Sequence, residues 1–235
     1  MDTVYYLVLV PMVYLAFFIF FVGVVAKSIK IIRRPKFKPT LQIYPEKKPA
    51  WLWAIGDALL LPGARKHYPV LWFFLMVFHF CLLLLFIGHL ELIKDFKLLQ
   101  IIEHDIFLGG GLIGLILVIA LIYFLFRRFA SPTKELSVPE DYFLLILLLL
   151  TVIFGSEMDW ARSWYDYGEM GVGEYRSYLS SLIVLQPDIS DVTYSGHSFM
   201  LVLHVFFANL FLMFFPFSKI MHSFLAIPLN KIRRG

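Results

Sequence analysis

The chain has 235 residues, of which 60% are hydrophobic and 16% are charged. Soluble domains have about 45–50% apolar and about 25% charged residues, so this composition indicates an integral membrane protein. The single cysteine, Cys81, excludes an internal disulfide and an iron–sulfur cluster held by this chain's cysteines. The absence of a Cys-x-x-Cys-His motif also excludes covalently attached haem. No nucleic-acid partner is expected for such a membrane protein.

Five apolar segments are long enough, or nearly so, to cross a hydrocarbon core of about 30 Å as helices. They cover residues 4–26, 69–93, 108–126, 142–158 and 195–217. The first segment lacks the basic start and the small-residue cleavage site of a signal peptide, so it is expected to be retained as a helix. The fifth is predicted to continue as one helix through His222 to about Leu225. The expected fold is all-α, a single domain over residues 1–235 built as a membrane bundle of five transmembrane helices.

The basic residues predict how this bundle is oriented. With five spans the termini lie on opposite sides, and 17 of the 21 Lys and Arg residues fall on one side, in the connections 27–68 and 127–141 and in the C-terminal region. The other side carries twelve of the 17 acidic residues. Cytoplasmic connections are enriched in Lys and Arg, so we expect the N-terminus outside and the C-terminus in the cytoplasm. The expected location is the plasma membrane of a prokaryote, with several passes.

The two longest connections differ in character. Segment 27–68 is basic and rich in proline, and it contains a short amphipathic piece, Ala50–Leu61, that is suited to the membrane interface. Its charges fit either anionic lipid head groups or a cytoplasmic partner. Segment 159–194 is rich in aromatic residues, which predicts mainly an interfacial belt, with part of it able to cover a hydrophobic ligand. These aromatic residues are Trp160, Trp164, Tyr165, Tyr167, Tyr175 and Tyr178.

Four of the seven histidines lie in or beside apolar spans, where a polar side chain is costly and usually marks a functional site. They are His79 and His89 on the second span and His204 and His222 on the fifth. Two histidines on each of two helices is the arrangement that two bis-histidine b-type haems require. The alternative is that they are polar groups that hydrogen-bond across helices. For His67, His104 and His197, solvated or interfacial positions are expected.

The direction of the two helices predicts how the four histidines pair. The second span runs from inside to outside and the fifth runs back, so His89 matches His204 near the outer face, and His79 matches His222 near the inner face. At about 1.5 Å per residue, the ten-residue spacing on the second span corresponds to about 15 Å. The eighteen-residue spacing on the fifth corresponds to about 27 Å if the helix is continuous. These spacings suit two haems at two depths in a bilayer.

Several neighbouring residues fit this interpretation. Gly88 beside His89 leaves room for a porphyrin edge, and Pro216 is expected to kink the fifth helix and to free a carbonyl. Lys219 is a candidate partner for a haem propionate at the inner face.

Two motifs carry a resemblance to a known family. These are Phe86-Ile87-Gly88-His89-Leu90 and the stretch from Phe214 to His222, which reads FPFSKIMH from residue 215. Together with five spans and two histidine pairs, they resemble the gamma-subunit family of respiratory nitrate reductase. That family includes the cytochrome b subunits of the sulfite-reductase-linked Dsr membrane complex and of membrane-bound heterodisulfide reductase. The resemblance covers almost the whole chain.

The resemblance implies a dihaem cytochrome b subunit of a respiratory oxidoreductase complex, with His89 and His204 as ligands of the outer haem and His79 and His222 as ligands of the inner one. We expect it to exchange electrons between membrane quinol, such as menaquinol, and a cytoplasmic iron–sulfur partner subunit. The quinone would bind near the outer haem, close to Gly88, His89 and Lys97. The long 27–68 connection favours the branch linked to sulfur or thiol respiration over the nitrate branch.

Three other functions remain open at this stage. The chain could be the gamma subunit of a nitrate reductase-type complex, which would change only the terminal substrate. It could instead be a membrane carrier without haem, with the histidines serving as a proton relay. A third possibility is a scaffold that organises a complex without redox chemistry. The direction of electron flow does not follow from the sequence.

Overall fold

The computed structural model describes residues 2–33, 48–94, 111–165, 171–193 and 198–233. In these ranges the chain forms helices and turns without a β-strand, which confirms the predicted all-α class. The helices are α1 Asp2–Leu9, α2 Pro11–Ile32, α3 Ala50–Leu60, α4 Pro62–His67, α5 Pro69–Ile93, α6 Leu112–Phe129, α7 Pro139–Tyr165, α8 Val172–Ile183, α9 Ser190–Thr193, α10 Ser198–Phe214 and α11 His222–Arg233. Short 3₁₀ turns occupy Lys134–Leu136, Phe215–Phe217 and Lys219–Met221.

Five helical segments of the described chain are long and apolar enough to cross a membrane, as the sequence predicts. They are Thr3–Ile32, Pro69–Ile93, Leu112–Phe129, Pro139–Ala161 and Ser198–Phe217. The fourth extends three residues beyond the expected range of 142–158 at each end. At its start, Pro139 is tolerated because the N–H groups of a first helical turn have no helical acceptor. The protein is therefore a multi-pass membrane protein built around these five helices.

Each span runs opposite to the one before it in the chain, which places the connections at two ends. Helix α7 packs against both α6 and α10, α5 packs against α6, and α10 packs against α2. We call the end that holds the α6–α7 connection, α3, α4 and α11 the basic end. The other end holds α8 and α9 and is called the opposite end. Which end faces the cytoplasm remains a prediction from the charge distribution.

The first span is broken at Pro11 rather than continuous. Proline has no N–H to donate to the carbonyl four residues earlier, so the helix is interrupted between Leu9 and Pro11. Two side chains from distant helices bind the carbonyls at the break. Tyr178 donates its hydroxyl to Leu9 O at 2.6 Å, and Asn209 Nδ2 donates to Val8 O at 3.2 Å. Backbone groups in a membrane need such partners because lipid offers none.

Tyr178 corrects part of the predicted aromatic belt. Its side chain is buried in an apolar cluster formed by α1, α2, α8, α9 and α10, with Leu9, Val192 and Leu201 among its members. Burial, with a smaller contribution from Tyr14, raises the pKa of Tyr178 above its ordinary value. Helix α8 therefore packs on the bundle through this residue, whereas an interfacial belt would present the ring to lipid head groups.

The prediction of one continuous helix from the fifth span through His222 is wrong. Helix α10 ends at Phe214, two 3₁₀ turns follow, and α11 begins at His222. Pro216 cannot continue the helical hydrogen bonds, and its carbonyl instead accepts a bond from Lys27 Nζ at 2.9 Å. At this point α2 lies so close that a Cβ added to Gly23 would clash with the Pro216 ring. The break is therefore held in place by the first span.

The amphipathic piece predicted at Ala50–Leu61 is helix α3, which packs against α11 at the basic end. It ends where Leu61 adopts a left-handed backbone with φ of 44°. Trp72 at the start of α5 donates its indole N–H to Leu60 O at 2.8 Å. These contacts link the connection before α5 to the segment that begins with His222.

Candidate functional site

The structure brings the four membrane histidines together as two pairs. The rings of His89 and His204 have centroids 6.0 Å apart and planes inclined by 30°. The rings of His79 and His222 have centroids 6.4 Å apart and planes inclined by 81°. These are the same two pairs that the depth argument gives from the sequence.

Helix α5 supplies one histidine to each pair, and the break after α10 allows both partners to reach it. His79 and His89 are ten residues apart on an unbroken helix, which corresponds to about 15 Å. His204 and the end of α10 at Phe214 are also ten residues apart. The 3₁₀ turns then begin, and α11 starts with His222 beside His79. The 27 Å calculated for a continuous helix therefore does not apply, because the eighteen residues from His204 to His222 do not form one helix.

All four imidazoles are held through the same nitrogen. Nδ1 of each ring lies within hydrogen-bonding distance of a backbone carbonyl: His79 to Leu75 O at 2.7 Å, His89 to Leu85 O at 2.7 Å, His204 to Thr151 O at 2.8 Å and His222 to Lys219 O at 3.0 Å. A carbonyl only accepts, so Nδ1 carries a proton in each case, and in the neutral imidazole Nε2 is the nitrogen with the free lone pair. This is the usual arrangement of a metal-binding histidine, whose second nitrogen donates to a carbonyl or carboxylate.

The distances and the donor set fit a metal held between two imidazoles. With metal–nitrogen bonds of about 2.0 Å on both sides, the centroids of two opposed rings are roughly 6 Å apart, close to both observed values. Among the described residues, no third His, Cys, Asp or Glu joins either pair to form a metal-binding group. Two imidazoles leave a tetrahedral zinc ion short of ligands, but they complete the coordination of an iron whose other ligands come from a porphyrin.

The position of His204 depends on two residues of α7 that the sequence analysis did not single out. The ring lies against Gly155, where an added Cβ would be 2.8 Å from both Nδ1 and Cε1 of His204. One turn earlier, Thr151 provides the carbonyl that binds Nδ1. A glycine within the apolar fourth span was the available signal, although one glycine in a helix does not reveal its neighbour.

His222 is positioned by polar residues at the basic end. The carbonyl that accepts its Nδ1 proton belongs to Lys219, and the ammonium group of Lys219 lies 2.8 Å from Asp141 Oδ1. Asp141 is buried, although it belongs to the first turn of α7. Nothing in the sequence distinguishes Asp141, because a carboxylate at the start of a helix ordinarily caps it in solvent.

The remaining predicted site residues lie away from the histidine rings or outside the described ranges. Gly88 is buried together with Cys81 and Glu91, whereas the neighbouring His89 is exposed on the surface of the polypeptide. Successive helical residues point about 100° apart, so Gly88 lies on a different face of α5 from His89. Lys97 lies outside the described residues, as do His104 and His197. His67 ends α4 and is exposed, as expected.

Comparison with known proteins gives two curated relatives and one family. The chain is 29% identical over 169 residues to the "Hdr-like menaquinol oxidoreductase cytochrome b-like subunit" of Archaeoglobus fulgidus, which covers 68% of this chain and 49% of that protein. It is 27% identical over 165 residues to the protein of the same name from Archaeoglobus profundus, which covers 65% of this chain and 46% of that protein. The chain therefore spans about half the length of these relatives.

The family match covers four of the five spans and all four membrane histidines. The model of the nitrate reductase gamma subunit family matches residues 70–235, from the start of α5 to the end of the chain. This range includes both histidine pairs and the break between α10 and α11. The chain belongs to the nitrate reductase gamma subunit family.

Proposed function

We propose that this protein is the dihaem b-type cytochrome subunit of a membrane menaquinol oxidoreductase complex. The observation that carries the proposal is the shared geometry of the two histidine pairs. In each pair the ring centroids are 6.0–6.4 Å apart, and all four Nδ1 atoms are bonded to carbonyls. A proton relay within a carrier does not require the same tautomer at four positions, whereas axial ligation does.

The histidines have distinct places in this proposal. His89 and His204 would hold one haem near the opposite end, and His79 and His222 would hold the other near the basic end. A bis-histidine haem supplies one-electron transfer and leaves no open iron position for a substrate. The carbonyls of Leu85 and Thr151 set the tautomer of the first pair, and those of Leu75 and Lys219 set the tautomer of the second. In the neutral imidazoles, Nε2 is thereby the nitrogen that would bind the iron.

The names of the relatives support menaquinol as the membrane-soluble redox partner. We place its site near the opposite end, close to His89, with Gly88 and Lys97 as further candidate contacts. Gly88 is buried on a face of α5 next to that of His89. Since this chain has a single cysteine, the next redox centre must belong to another subunit, for which we propose a cytoplasmic iron–sulfur protein.

The basic end would face the cytoplasm and this partner, in the plasma membrane of a prokaryote. The Hdr-like relatives favour electron transfer linked to sulfur or thiol chemistry. The family name supports nitrate reduction as a second candidate function, because both kinds of complex would use a membrane subunit of this family.

The proposal is tested by measuring haem on the purified protein. We expect two b-type haems per chain and their reduction by a menaquinol analogue. Replacing both His79 and His89 by alanine should remove both haems, while the matched double variant His67→Ala with Lys66→Ala should keep them. Protein without b-type absorbance, or with haem that survives the loss of both α5 histidines, would refute the ligand assignment. Haem without quinol-dependent reduction would favour the scaffold alternative.

A further inference from the structure

A buried carboxylate joins three separate segments at the basic end. Asp141 Oδ1 lies 2.8 Å from Lys219 Nζ, and Asp141 Oδ2 lies 3.0 Å from Arg128 Nη1. The exposed fraction of the Asp141 side chain is only 5%. The same Oδ2 accepts the backbone N–H of Val138 at 3.0 Å. Asp141 therefore ties the end of α6 and the start of α7 to the turn that precedes His222.

Lys219 is held at three points, and one of them is the contact with His222. Its ammonium group pairs with Asp141, and its backbone N–H donates to Glu140 Oε1 at 3.2 Å. Its carbonyl accepts the Nδ1 proton of His222 at 3.0 Å. Lys219 belongs to a short 3₁₀ turn between two helices, and its carbonyl also accepts the backbone N–H of His222. The two acidic side chains of α7 attach this turn, and with it the acceptor of the His222 ring, to the rest of the bundle.

We propose that Asp141 and Lys219 form a positioning pair that sets the ring orientation of His222, and thereby the affinity and reduction potential of the haem at the basic end. The inference rests on the proposed function. The ammonium group of Lys219, which the sequence offers as a partner for a haem propionate, is bonded to Asp141 in the structure. A residue that orients a metal-binding histidine through a hydrogen bond does not itself touch the bound group. Loss of such a residue nevertheless costs about 10–100-fold in affinity for that group.

The two haem sites can be followed separately because their rings are arranged differently. The angle between the axial imidazole planes governs the g anisotropy of a low-spin ferric haem. The angle is 81° for the pair at the basic end and 30° for the other pair, so two distinct EPR signals are expected. The EPR signal of the His79–His222 site therefore reports on the orientation of the His222 ring. A general loss of stability would not change this signal alone.

The test compares Asp141→Asn and Lys219→Met in the full-length protein. In both variants we expect the signal of the His79–His222 site to shift or to disappear, with about 10–100-fold weaker retention of that haem. The His89–His204 site should keep its signal and its haem. Lys219→Met is the milder change, because Asp141 then remains paired with Arg128. Lys219→Arg restores a cation of similar reach and should restore the signal.

Glu135→Gln is the matched control, because it removes an exposed carboxylate from the same connection between α6 and α7. It should leave both signals unchanged. If the wild-type protein has two haems and both variants keep the original signals and potentials, the positioning pair is refuted while the proposed function stands. Loss of both haems in both variants would also overturn it, since that indicates a role in the whole bundle. Wild-type protein without haem would refute the proposed function itself.

Discussion

Replacing Gly155 by alanine is expected to displace His204 and to remove one haem. The added Cβ would lie 2.8 Å from the His204 ring, whereas ordinary van der Waals contacts begin at 3.4 Å. The ring must therefore move by about 0.6 Å, away from the α7 backbone that binds its Nδ1. The bond to Thr151 O, now 2.8 Å, would lengthen beyond the roughly 3.2 Å limit of good N–H···O geometry.

The cost of this displacement can be worked out in two independent ways. Leaving a buried donor without its acceptor costs about 1–3 kcal/mol. Loss of an outer-shell partner weakens binding of the ligated group by about 10–100-fold, which corresponds to about 1.4–2.8 kcal/mol. The agreement of the two ranges predicts that Gly155→Ala retains the haem at the His89–His204 site about 10–100-fold more weakly.

The assay is haem content per chain together with the EPR signals of the two sites. Gly155→Ala should keep the signal of the His79–His222 site and should lose or shift the other. Gly56→Ala is the control, since an added Cβ at this position of α3 meets nothing within 4 Å. Alanine is the better helix former by about 1 kcal/mol, so neither variant is expected to lose its helix. Two haems with unchanged signals in Gly155→Ala would refute this reasoning.

Three further results are expected. His222→Ala should remove the haem at the basic end and spare most of the other, measured as haem per chain; equal loss of both would contradict separate sites. Tyr178→Phe should lower the free energy of unfolding in detergent by about 1–3 kcal/mol, because Leu9 O loses its buried donor; an unchanged melting temperature would show that this carbonyl needs no partner. The raised pKa of Tyr178 means that the unfolded chain releases the phenol proton first, at about pH 10. The free energy of unfolding should therefore fall as the pH rises above about 10. The fall should be less steep in Tyr178→Phe, and parallel pH dependences of the two proteins would exclude a contribution from this phenol.

Much of the architecture follows from local properties of the sequence. A run of about 20 apolar residues forms a helix when it crosses a bilayer, since a helix satisfies the backbone groups within the segment itself. The number of spans and the bounds of Pro69–Ile93 are therefore readable without a structure. The same argument makes four histidines in apolar segments conspicuous, and antiparallel helices of similar depth suffice to pair them.

Prolines were only partly interpretable from the sequence. Pro216 predicts a disturbance of the fifth helix, but its extent depends on Lys27, which binds the Pro216 carbonyl from almost 190 positions away. The local sequence is compatible with a kink that frees one carbonyl and equally with a complete break followed by two 3₁₀ turns. The difference matters for the site, because only the break places His222 beside His79.

The sequence by itself determined the membrane class, the five spans and the identity of the four histidines. Only the tertiary structure decided which distant residues position two of the rings: Gly155 and Thr151 for His204, and Asp141, acting through Lys219, for His222. The physical reason is that hydrophobicity and helix formation are properties of contiguous residues. Partners such as Thr151 for His204 and Asp141 for Lys219 come from residues far away in the chain, so a local pattern does not reveal them.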